Sequence, residues 1–397
     1  MGRFAIAGAG IAGLAAATGL AQAGHDVVVF DQWEAPRPVG SGLVVQPVGL
    51  SVLDVLGSGG AARALGQPIS RMYGTEALGG RVILDVTYDP AGRGREGLAM
   101  HRAALHGVLL DAARGAGARF DLGAPVTGRE GTRLRVNERL TEAFDLVIDA
   151  AGAASPLSPL AARPLPYGAI WGVVEWPATD LPSDRLSQRY RRADRMIGVL
   201  PIGRAETGGP ALAAVFWSLP RDGHAGWLAR PLDDWRAEAS MLWPEARPFL
   251  DLITDHDQMV MARYGHGQLR RPFADGIVHL GDAAHRASPQ LGQGANMALL
   301  DALALVRAVE AGPLGEAGHR MWNARRAHVR AYQTMSAAFT PQYQSDSRAL
   351  PWLRDRVLAP VSQAQPAKAI LPALVRGTMM PPLGAGLGPI GAASFVD

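Results

Sequence analysis

Three glycines near the amino terminus have the spacing of a phosphate-binding turn. Gly8, Gly10 and Gly13 form the pattern G-x-G-x-x-G within "RFAIAGAGIAGLAAATGLAQAGHDVVVFD". The first glycine permits a tight turn, the second lets the backbone approach a pyrophosphate, and the third lets a helix press against a strand. The amino terminus of that helix offers free N–H groups and a positive dipole end to phosphate. The pattern therefore indicates dinucleotide binding.

The surrounding residues predict the elements that such a turn needs. "RFAIAG" is typical of a buried strand, "IAGLAAATGLAQAG" of a helix that ends at Gly24, and "HDVVVFD" of a second buried strand. Asp31 closes that strand, where a carboxylate can accept hydrogen bonds from ribose hydroxyls. A secretory signal or a membrane span is the alternative, but Thr18, Gln22 and the many Gly and Ala residues disfavour both.

Composition excludes several classes of protein. The 397 residues are 48% hydrophobic and 19% charged, which is ordinary for a globular chain. Cysteine is absent, so disulfides, thiolate metal sites and a Cys nucleophile are excluded; no metal site is expected, and we expect a cytoplasmic protein. The net charge is +3, but the Arg residues are scattered rather than clustered, so nucleic-acid binding is not expected. Membrane contact through the apolar C-terminal tail is also disfavoured.

Two further stretches predict more of the same parallel sheet. "GLAMHRAALHGVLLDAARGAG" (97–117) is typical of a short strand followed by an amphipathic helix, with Arg102 at the junction. "FDLVIDAAGAASPL" (144–157) predicts a buried strand that ends in small residues, as expected where a ligand meets the carboxyl end of a strand.

A third stretch returns to this sheet late in the chain. "GIVHLGDAAHRASPQLGQGANMALLDALALVRAVEAG" (276–312) predicts a buried strand that delivers Asp282, a loop with Pro289, Gly292 and Gly294, and a helix from about Ala295 to Ala311. Asp282 is either a ligand for the cofactor or a turn carboxylate, and Asn296 is either a site residue or an ordinary residue of the first helical turn.

The middle of the chain has a different character. From about 165 to 265, short β-rich runs such as "IWGVVEW" and "ALAAVFWSLP" alternate with turns, which predicts an antiparallel sheet. Phe216 and Trp217 are candidate substrate contacts in that sheet. The chain is mostly helical from about 313 onward.

Taken together, these motifs resemble the single-component FAD-dependent aromatic hydroxylases of the para-hydroxybenzoate hydroxylase type. The glycine motif with Asp31, the block "GDAAHRASPQLGQGANMALLDA" and the Arg in "MHRAALHGVLLDAA" carry the resemblance, and "GSGLVVQPVGLSVLDVLG" (40–57) adds to it. The resemblance implies an α/β fold with a Rossmann-like FAD domain from 1–70, 97–160 and 266–312. An interleaved, mostly antiparallel β substrate domain would comprise 71–96 and 161–265, and a helical C-terminal section 313–397.

The resemblance also implies where FAD would lie. The pyrophosphate would contact Gly8, Gly10 and Gly13, the adenosine ribose would contact Asp31, and the adenine would lie by Val126. Arg102 would reach the ribityl-phosphate region, and Asp282 would bond a ribityl hydroxyl. The full set of implied cofactor contacts is Gly8, Gly10, Ile11, Ala12, Gly13, Asp31, Gln32, Gly42, Leu43, Arg102, Val126, Asp282, Pro289, Gly292, Gly294, Ala295 and Asn296. Pro289 would lie closest to the reacting edge of the flavin ring.

The implied reaction is hydroxylation of an aromatic or heteroaromatic small molecule. NADPH or NADH would reduce FAD, and O₂ would form a flavin C4a-hydroperoxide that transfers one oxygen atom. A flavin halogenase is disfavoured because the only Lys is Lys368, and a second G-x-G-x-x-G for a two-dinucleotide-domain oxygenase is missing. Another FAD-dependent oxidoreductase of this fold, or a non-hydroxylating NAD-binding dehydrogenase or sensor, is the alternative. We expect a monomer or a homodimer.

One departure from the family pattern concerns the reductant. The family has an Asp-Gly pair where this chain has Ala151-Gly152, so we hypothesise that Asp149 substitutes. A base that deprotonates the substrate could be His101, His224, Tyr190 or Tyr73, and the sequence does not choose among them.

Overall fold

A computed structural model describes residues 1–35, 41–384 and 386–390. Gly40, which begins the stretch 40–57, and residues 391–397 of the predicted C-terminal section lie outside the described residues.

Strands build both main layers of the molecule. In chain order, the strands of the described residues are β1 (Arg3–Ala7), β2 (Asp26–Asp31), β3 (Gly42–Val45), β4 (Gln67–Ile69), β5 (Arg71–Glu76), β6 (Val82–Thr87), β7 (Gly97–His101), β8 (Arg119–Leu122), β9 (Val126–Glu130), β10 (Arg133–Val136), β11 (Arg139–Leu140), β12 (Leu146–Asp149), β13 (Arg163–Glu175), β14 (Arg185–Arg191), β15 (Arg195–Pro201), β16 (Leu212–Pro220), β17 (Met259–Gln268), β18 (Phe273–Ala274), β19 (Ile277–His279) and β20 (His285–Arg286).

Helices cover the sheets and form the carboxyl-terminal part of the molecule. They are α1 (Ile11–Gln22), α2 (Pro47–Val55), α3 (Gly59–Leu65), α4 (Arg102–Gly115), α5 (His224–Leu228), α6 (Leu232–Leu242), α7 (Arg247–Leu250), α8 (Gly294–Glu310), α9 (Ala317–Tyr343), α10 (Ala349–Leu353), α11 (Ala359–Ser362) and α12 (Ala367–Arg376). Two short 3₁₀ turns, Gly281–Ala283 and Pro289–Leu291, precede α8. Within the described ranges, no helix combines the length and the apolar character that crossing a membrane requires.

The first sheet is parallel and has the strand order β18-β19-β12-β1-β2-β8. Only β18 runs antiparallel to its neighbour. Ala7 of β1 is paired with Asp149 of β12, which is in turn paired with His279 of β19. The carboxyl ends of these three strands therefore meet at one edge, where parallel α/β sheets bind ligands.

Helix α1 explains the apolar run that opens the chain. Its 12 residues are rich in Ala and Gly and are buried from Ala12 to Leu20. A Cβ added to Gly19 would lie 2.7 Å from Cγ2 of Val306 in α8, so the two helices approach closely only because position 19 has no side chain. The small residues are thus the packing surface between α1 and α8.

The second large sheet has the order β20-β17-β13-β16-β15-β14-β5-β6, antiparallel except for the β14–β5 pair. On one face, Trp217 and Val215 pack with Trp235 and Trp243 from the α6 region. On the other face, Ala214 packs with residues of a small sheet in the order β3-β7-β4, among them Val44 and Ala99. We call the first the back face and the second the front face.

The remaining elements close the molecule. β9, β10 and β11 form a separate three-stranded sheet. Met297 of α8, Tyr332 of α9 and Leu374 of α12 share one apolar cluster. The predicted fold class is confirmed: a parallel α/β layer, a mostly antiparallel β layer and a helical carboxyl-terminal section. The main boundary difference is small, because α8 begins at Gly294 and not at Ala295.

Candidate flavin and substrate site

The glycine turn lies at the carboxyl edge of the parallel sheet. Gly8 has φ +104°, and a Cβ there would lie 2.6 Å from the carbonyl oxygen of Ala150. A Cβ on Gly13 would lie 1.9 Å from the carbonyl oxygen of Gly8. Gly10 is different, because a Cβ there would have only the Ala150 oxygen at 4.0 Å. Gly8 and Gly13 are therefore required by the fold, while Gly10 keeps one side of the turn open for a ligand.

The first turn of α1 and the end of β2 meet at this turn. Asp31 accepts hydrogen bonds from the N–H of Ala9 at 2.7 Å and from the N–H of Trp33 at 2.9 Å. Its carboxylate is half-buried, and Gln32 next to it is exposed. Asp31 thus stabilises the turn and keeps part of its oxygen surface accessible. Ile11 and Ala12 form the first turn of the helix.

Arg102 begins α4, directly beside the glycine turn. One helical turn later, Nε2 of His106 lies 2.9 Å from the carbonyl oxygen of Ala9. Residues four apart share a helix face, so Arg102 lies on the face that contacts the turn. The Arg102 side chain is exposed and, among the described residues, has no hydrogen bond or ion pair. An uncommitted guanidinium and a helix amino terminus at one place are suited to binding phosphate.

The turn that carries Asp282 packs between two helices of the same layer. A Cβ added to Gly281 would lie 3.5 Å from Cβ of Ala12 in α1 and 3.3 Å from Cβ of Ala298 in α8. The side chain of Asp282 is exposed and accepts no hydrogen bond within the described part of the chain. Asp282 and the glycine turn, far apart in sequence, therefore lie at the same sheet edge.

The loop before α8 presents a second helix amino terminus. Pro289 is exposed in the 3₁₀ turn, and Gly292 adopts φ +60° immediately before the helix. Gly294 is exposed and Ala295 half-buried, so the N–H groups of this first turn lie near the surface. They can stabilise negative charge on a bound ring.

Asn296 has a role that the sequence did not indicate. Its Oδ1 accepts the N–H of Gln46 at 2.8 Å, and its Nδ2 donates to the carbonyl oxygens of Val44 and Gly292 at 3.2 and 3.0 Å. The buried amide therefore joins the end of β3 to the start of α8. Gly42 of β3 serves a different contact: a Cβ there would lie 2.2 Å from Cγ2 of Ile202 and 3.0 Å from Cβ of Ala214, so its lack of a side chain lets β3 pack on the large sheet. Leu43 follows it and is half-buried.

Val126 lies at the opposite end of the glycine turn. It begins β9 and packs on the cluster that contains Phe30 and Ala124. The N–H of Ala124 donates to the carbonyl oxygen of Asp31 at 2.8 Å, so the segment that leads into Val126 is joined to the end of β2.

Two buried polar side chains, Gln46 and Tyr88, lie near the loop before α8, and no sequence motif indicates them. Gln46 is fully buried, and neither its Nε2 nor its Oε1 has a hydrogen-bond partner in the described residues. The buried hydroxyl of Tyr88 faces the Gln46 side chain; burial raises the pKa of Tyr88, and the interaction with Gln46 acts against that rise. Nε2 of Gln46 would lie 3.2 Å from a Cβ on Gly292. Buried unpaired amides cost free energy, so this group is suited to bonding a ligand.

Aromatic side chains lie on the front face of the large sheet. The rings of Trp171 and Phe216 are 4.5 Å apart, and Nε1 of Trp171 donates to the hydroxyl of Tyr264 at 2.9 Å. Burial raises the pKa of Tyr264 to about 12. Trp217, the other candidate substrate contact, lies on the back face in the apolar core with Trp235.

The four candidate bases lie in different environments. Burial lowers the pKa of His101, whose Nδ1 has no partner, at the end of β7 next to Arg102. His224 stacks on Trp227 beside the back face. Tyr190 donates to Gln188, and burial raises its pKa well above the ordinary value. Tyr73 is held beneath the guanidinium groups of Arg71 and Arg185. Of the four, only His101 adjoins the proposed cofactor contacts.

Asp149 does not fill the role that we hypothesised for it. Its carboxylate is fully buried and accepts from His279 Nδ1 at 2.6 Å, from Ser155 Oγ at 2.7 Å and from the N–H of Ala151 at 3.2 Å. These bonds hold β12 against β19. They leave the carboxylate unavailable to a nucleotide.

Fold and site together define a class: a dinucleotide-binding α/β layer that packs against a large, mostly antiparallel sheet. The chain matches the FAD binding domain family over residues 3–156 and 190–336, and it belongs to that family. The predicted cofactor, FAD, is confirmed, as is the prediction of an FAD-dependent monooxygenase.

Named relatives share most of their length with this chain. The FAD-dependent urate hydroxylase of Klebsiella pneumoniae is 27% identical over 311 residues, which are 76% of this chain and 79% of that protein. The 3-amino-4-hydroxybenzoate 2-monooxygenase of Streptomyces cremeus is 29% identical over 375 residues, 88% of this chain and 86% of that protein. The crystal structure of a Klebsiella pneumoniae HpxO variant complexed with FAD has a TM-score of 0.80 at 21% identity, covering 96% of this chain and all of the other, and shows the same fold.

Proposed function

We propose that the protein uses NADH or NADPH and O₂ to hydroxylate an uncharged aromatic or heteroaromatic small molecule. The observation that carries this proposal is the meeting of the glycine turn, Arg102, Asp282 and the α8 amino terminus at one sheet edge. FAD bound there and reduced by the nicotinamide would activate O₂, so that one oxygen atom of O₂ goes to the substrate and the other leaves as water. The residues of the chain bind the cofactor, orient the substrate and shield the site from water.

Different residues of the site are suited to binding different parts of the cofactor. The amino terminus of α1 and the uncommitted Arg102 hold the pyrophosphate. Asp31 accepts from the adenosine ribose and Asp282 from the ribityl hydroxyls. The first turn of α8 stabilises the negative charge of the reduced ring.

The front face supports an uncharged substrate. The residues that line it, Trp171, Phe216 and Val173, are aromatic or aliphatic, and Met72 and Leu186 extend the same surface. Two cations of this sheet are engaged elsewhere, since the Arg71 and Arg185 guanidinium groups stack on Tyr73 and Arg71 also pairs with Asp85. A planar apolar ring would be bound there by stacking and by exclusion of water.

Gln46 and Tyr88 supply the polar contacts that such a ring needs. Both side chains are buried, and apart from their contact with each other they have no hydrogen-bond partner among the described residues, so a hydroxyl or ring carbonyl of the substrate would satisfy them. His101 is the candidate base of this site, since burial keeps its imidazole neutral and able to accept a proton.

A substrate panel tests the proposal. Purified holoenzyme is mixed with NADH or NADPH and with phenols, hydroxypyridines and quinolones, each paired with a carboxylated analogue. We expect the uncharged members to stimulate nicotinamide oxidation and to gain one oxygen atom by mass. Stimulation by the carboxylates alone would overturn the uncharged assignment. Nicotinamide oxidation that never yields an oxygenated product from any member would overturn hydroxylation.

A further inference from the structure

A buried carboxylate connects the Asp282 turn to the helices behind it. Oδ2 of Asp301 in α8 accepts the N–H of Gly281 at 3.1 Å and lies 2.6 Å from Nε2 of His285. Oδ1 of Asp301 accepts from Nε of Arg325 in α9 at 2.9 Å. The Arg325 side chain has no exposed surface, and that of Asp301 is 4% exposed. One carboxylate therefore fixes both ends of the turn that contains Asp282.

The charge of Asp301 is secured by its partners. Burial alone raises the pKa of this carboxyl, but His285 and Arg325 outweigh it and hold the pKa well below its usual range. The carboxylate stays ionised at neutral pH. It bonds the Gly281 N–H as a charged acceptor, which is stronger than a neutral one.

Arg325 also extends the network to the carboxyl-terminal segment. Its Nη1 donates to the carbonyl oxygen of Pro382 at 2.6 Å and lies 3.1 Å from Nδ1 of His328. Nε2 of His328 lies 2.9 Å from the carbonyl oxygen of Gly377. The N–H of Gly384 donates to the carbonyl oxygen of Ala324 at 2.8 Å. Residues 377–384 are thus bonded to α9 at the point where α9 bonds Asp301.

The conformation of the turn depends on these bonds. Gly281 has φ +55°, and the peptide N–H that Asp301 accepts immediately precedes Asp282. The Asp282 side chain has no bond of its own within the described residues, so its direction follows from the backbone around it. Removal of the Asp301 acceptor would free that backbone to rotate.

We propose that Asp301 and Arg325 are positioning residues that hold the Gly281–Asp282 turn in its cofactor-binding conformation. Residues 377–384 stabilise this pair from the other side, because the carbonyl oxygen of Pro382 accepts a hydrogen bond from Nη1 of Arg325. The inference rests on the proposed contact between Asp282 and the ribityl chain of FAD.

The chain provides a matched control in Arg354. This Arg is also buried, donates to the carbonyl oxygens of Gln342 and Arg192 at 2.7 and 2.9 Å, and pairs with Asp355. Its guanidinium stacks on Tyr190, a residue of the substrate sheet. Loss of Arg354 removes a buried cation of the same kind without touching the Asp282 turn.

The experiment measures the FAD dissociation constant of each apoprotein by flavin fluorescence, together with the thermal midpoint. We expect Asp301→Asn and Arg325→Met to weaken FAD binding by about tenfold or more, the effect of losing one charged hydrogen bond. Arg354→Met should lower the thermal midpoint while FAD affinity stays within about twofold of the wild type. Equal weakening by Arg354→Met, or unchanged affinity in Asp301→Asn, would overturn the proposal.

A double-mutant cycle shows whether Asp301 acts through Asp282. If it does, the double variant Asp282→Ala/Asp301→Asn should bind FAD no more weakly than Asp282→Ala alone. If the two residues act independently, their fold-changes in the FAD dissociation constant would multiply, and this result would contradict the proposal. Unchanged affinity in Asp282→Ala would instead overturn the ribityl contact, and the inference with it. If Arg325→Met does not fold, Arg325→Lys replaces it, because this variant keeps the charge but cannot bond Asp301 and Pro382 at the same time. We expect Arg325→Lys to weaken FAD binding as well. Wild-type affinity in Arg325→Lys would contradict the positioning role of Arg325.

Discussion

The two layers of the molecule build their parts of the site in different ways. At the edge of the parallel sheet, the contacts expected to hold FAD come mainly from backbone: the Gly8–Gly13 turn and the helix amino termini at Ile11 and Gly294. On the front face of the antiparallel sheet, the contacts come from side chains such as Trp171 and Phe216. A substitution at a sterically constrained glycine of the first region should therefore act through the fold, and one of a front-face side chain through specificity.

The glycine turn should give the largest effect. Gly13→Ala would place a Cβ 1.9 Å from the carbonyl oxygen of Gly8, so backbone must move. We expect a loss of about 3 kcal/mol or more in the free energy of unfolding, measured by urea denaturation, together with loss of FAD. Gly10→Ala is the control, because its nearest contact would be at 4.0 Å. It should fold normally, and a control as unstable as Gly13→Ala would show that steric fit does not explain this turn.

The pH dependence of the free energy of unfolding should depend on His328, which contacts Arg325 behind the Asp282 turn. Burial, reinforced by Arg325, lowers the pKa of His328 to about 3. The unfolded chain therefore binds more protons than the folded one below pH 6.5, and stability is lost as the pH falls from 6.5 toward 3. Between pH 7 and pH 5 this loss is up to about 2 kcal/mol. His328→Gln keeps a donor for the Gly377 carbonyl oxygen, and it should flatten the curve of thermal midpoint against pH. If the curves of the variant and the wild type run parallel, His328 is not the source of the pH dependence.

Arg102 should affect cofactor binding without affecting the fold. Its side chain is exposed and makes no bond in the described part of the chain, so Arg102→Met should leave the thermal midpoint unchanged. FAD affinity should fall by about tenfold, and less at high salt, where phosphate contacts are screened. Arg326→Met, an exposed Arg of α9, is the control and should bind FAD normally. A loss shared equally by both variants would indicate a general charge effect.

Substitutions at two neighbouring residues of β16, Phe216 and Trp217, should distinguish the roles of the two faces of the sheet. We expect their effects to be the smallest of those proposed. Phe216→Leu should change the KM for an aromatic substrate by about threefold while kcat changes little, because stacking on the front face is reduced. Trp217→Phe should lower the thermal midpoint and leave KM unchanged, since Trp217 packs on Trp235 behind the sheet. The opposite pattern would place the substrate on the back face.

The same contrast explains what the sequence could and could not predict. The glycine turn was readable because Gly8 and Gly13 meet steric demands that act over a few residues at fixed spacing. The position of Asp282 at this sheet edge could be predicted because it follows a buried strand whose neighbours are parallel; its contact with the cofactor stays a prediction. Gln46 and Tyr88 gave no such indication, since their pairing depends on how β3 meets the large sheet.

Two interpretations show the limit of local reasoning about polar residues. Asp149 was a plausible ligand because it ends a strand at the correct edge, yet His279 on the neighbouring strand occupies its carboxylate. The Asn296 amide joins β3 to α8, which its place in the first turn of a helix does not predict, and its contact with the flavin ring stays a prediction. In both, a partner more than a hundred positions away in sequence decides the role. The partners of Asp301 are likewise visible only in three dimensions.

A crystal structure of the holoenzyme tests the central claim most directly. The account predicts one FAD whose pyrophosphate contacts the α1 amino terminus and Arg102 while its ribityl chain contacts Asp282. FAD bound to only one of these two regions, or bound elsewhere on the chain, would contradict it.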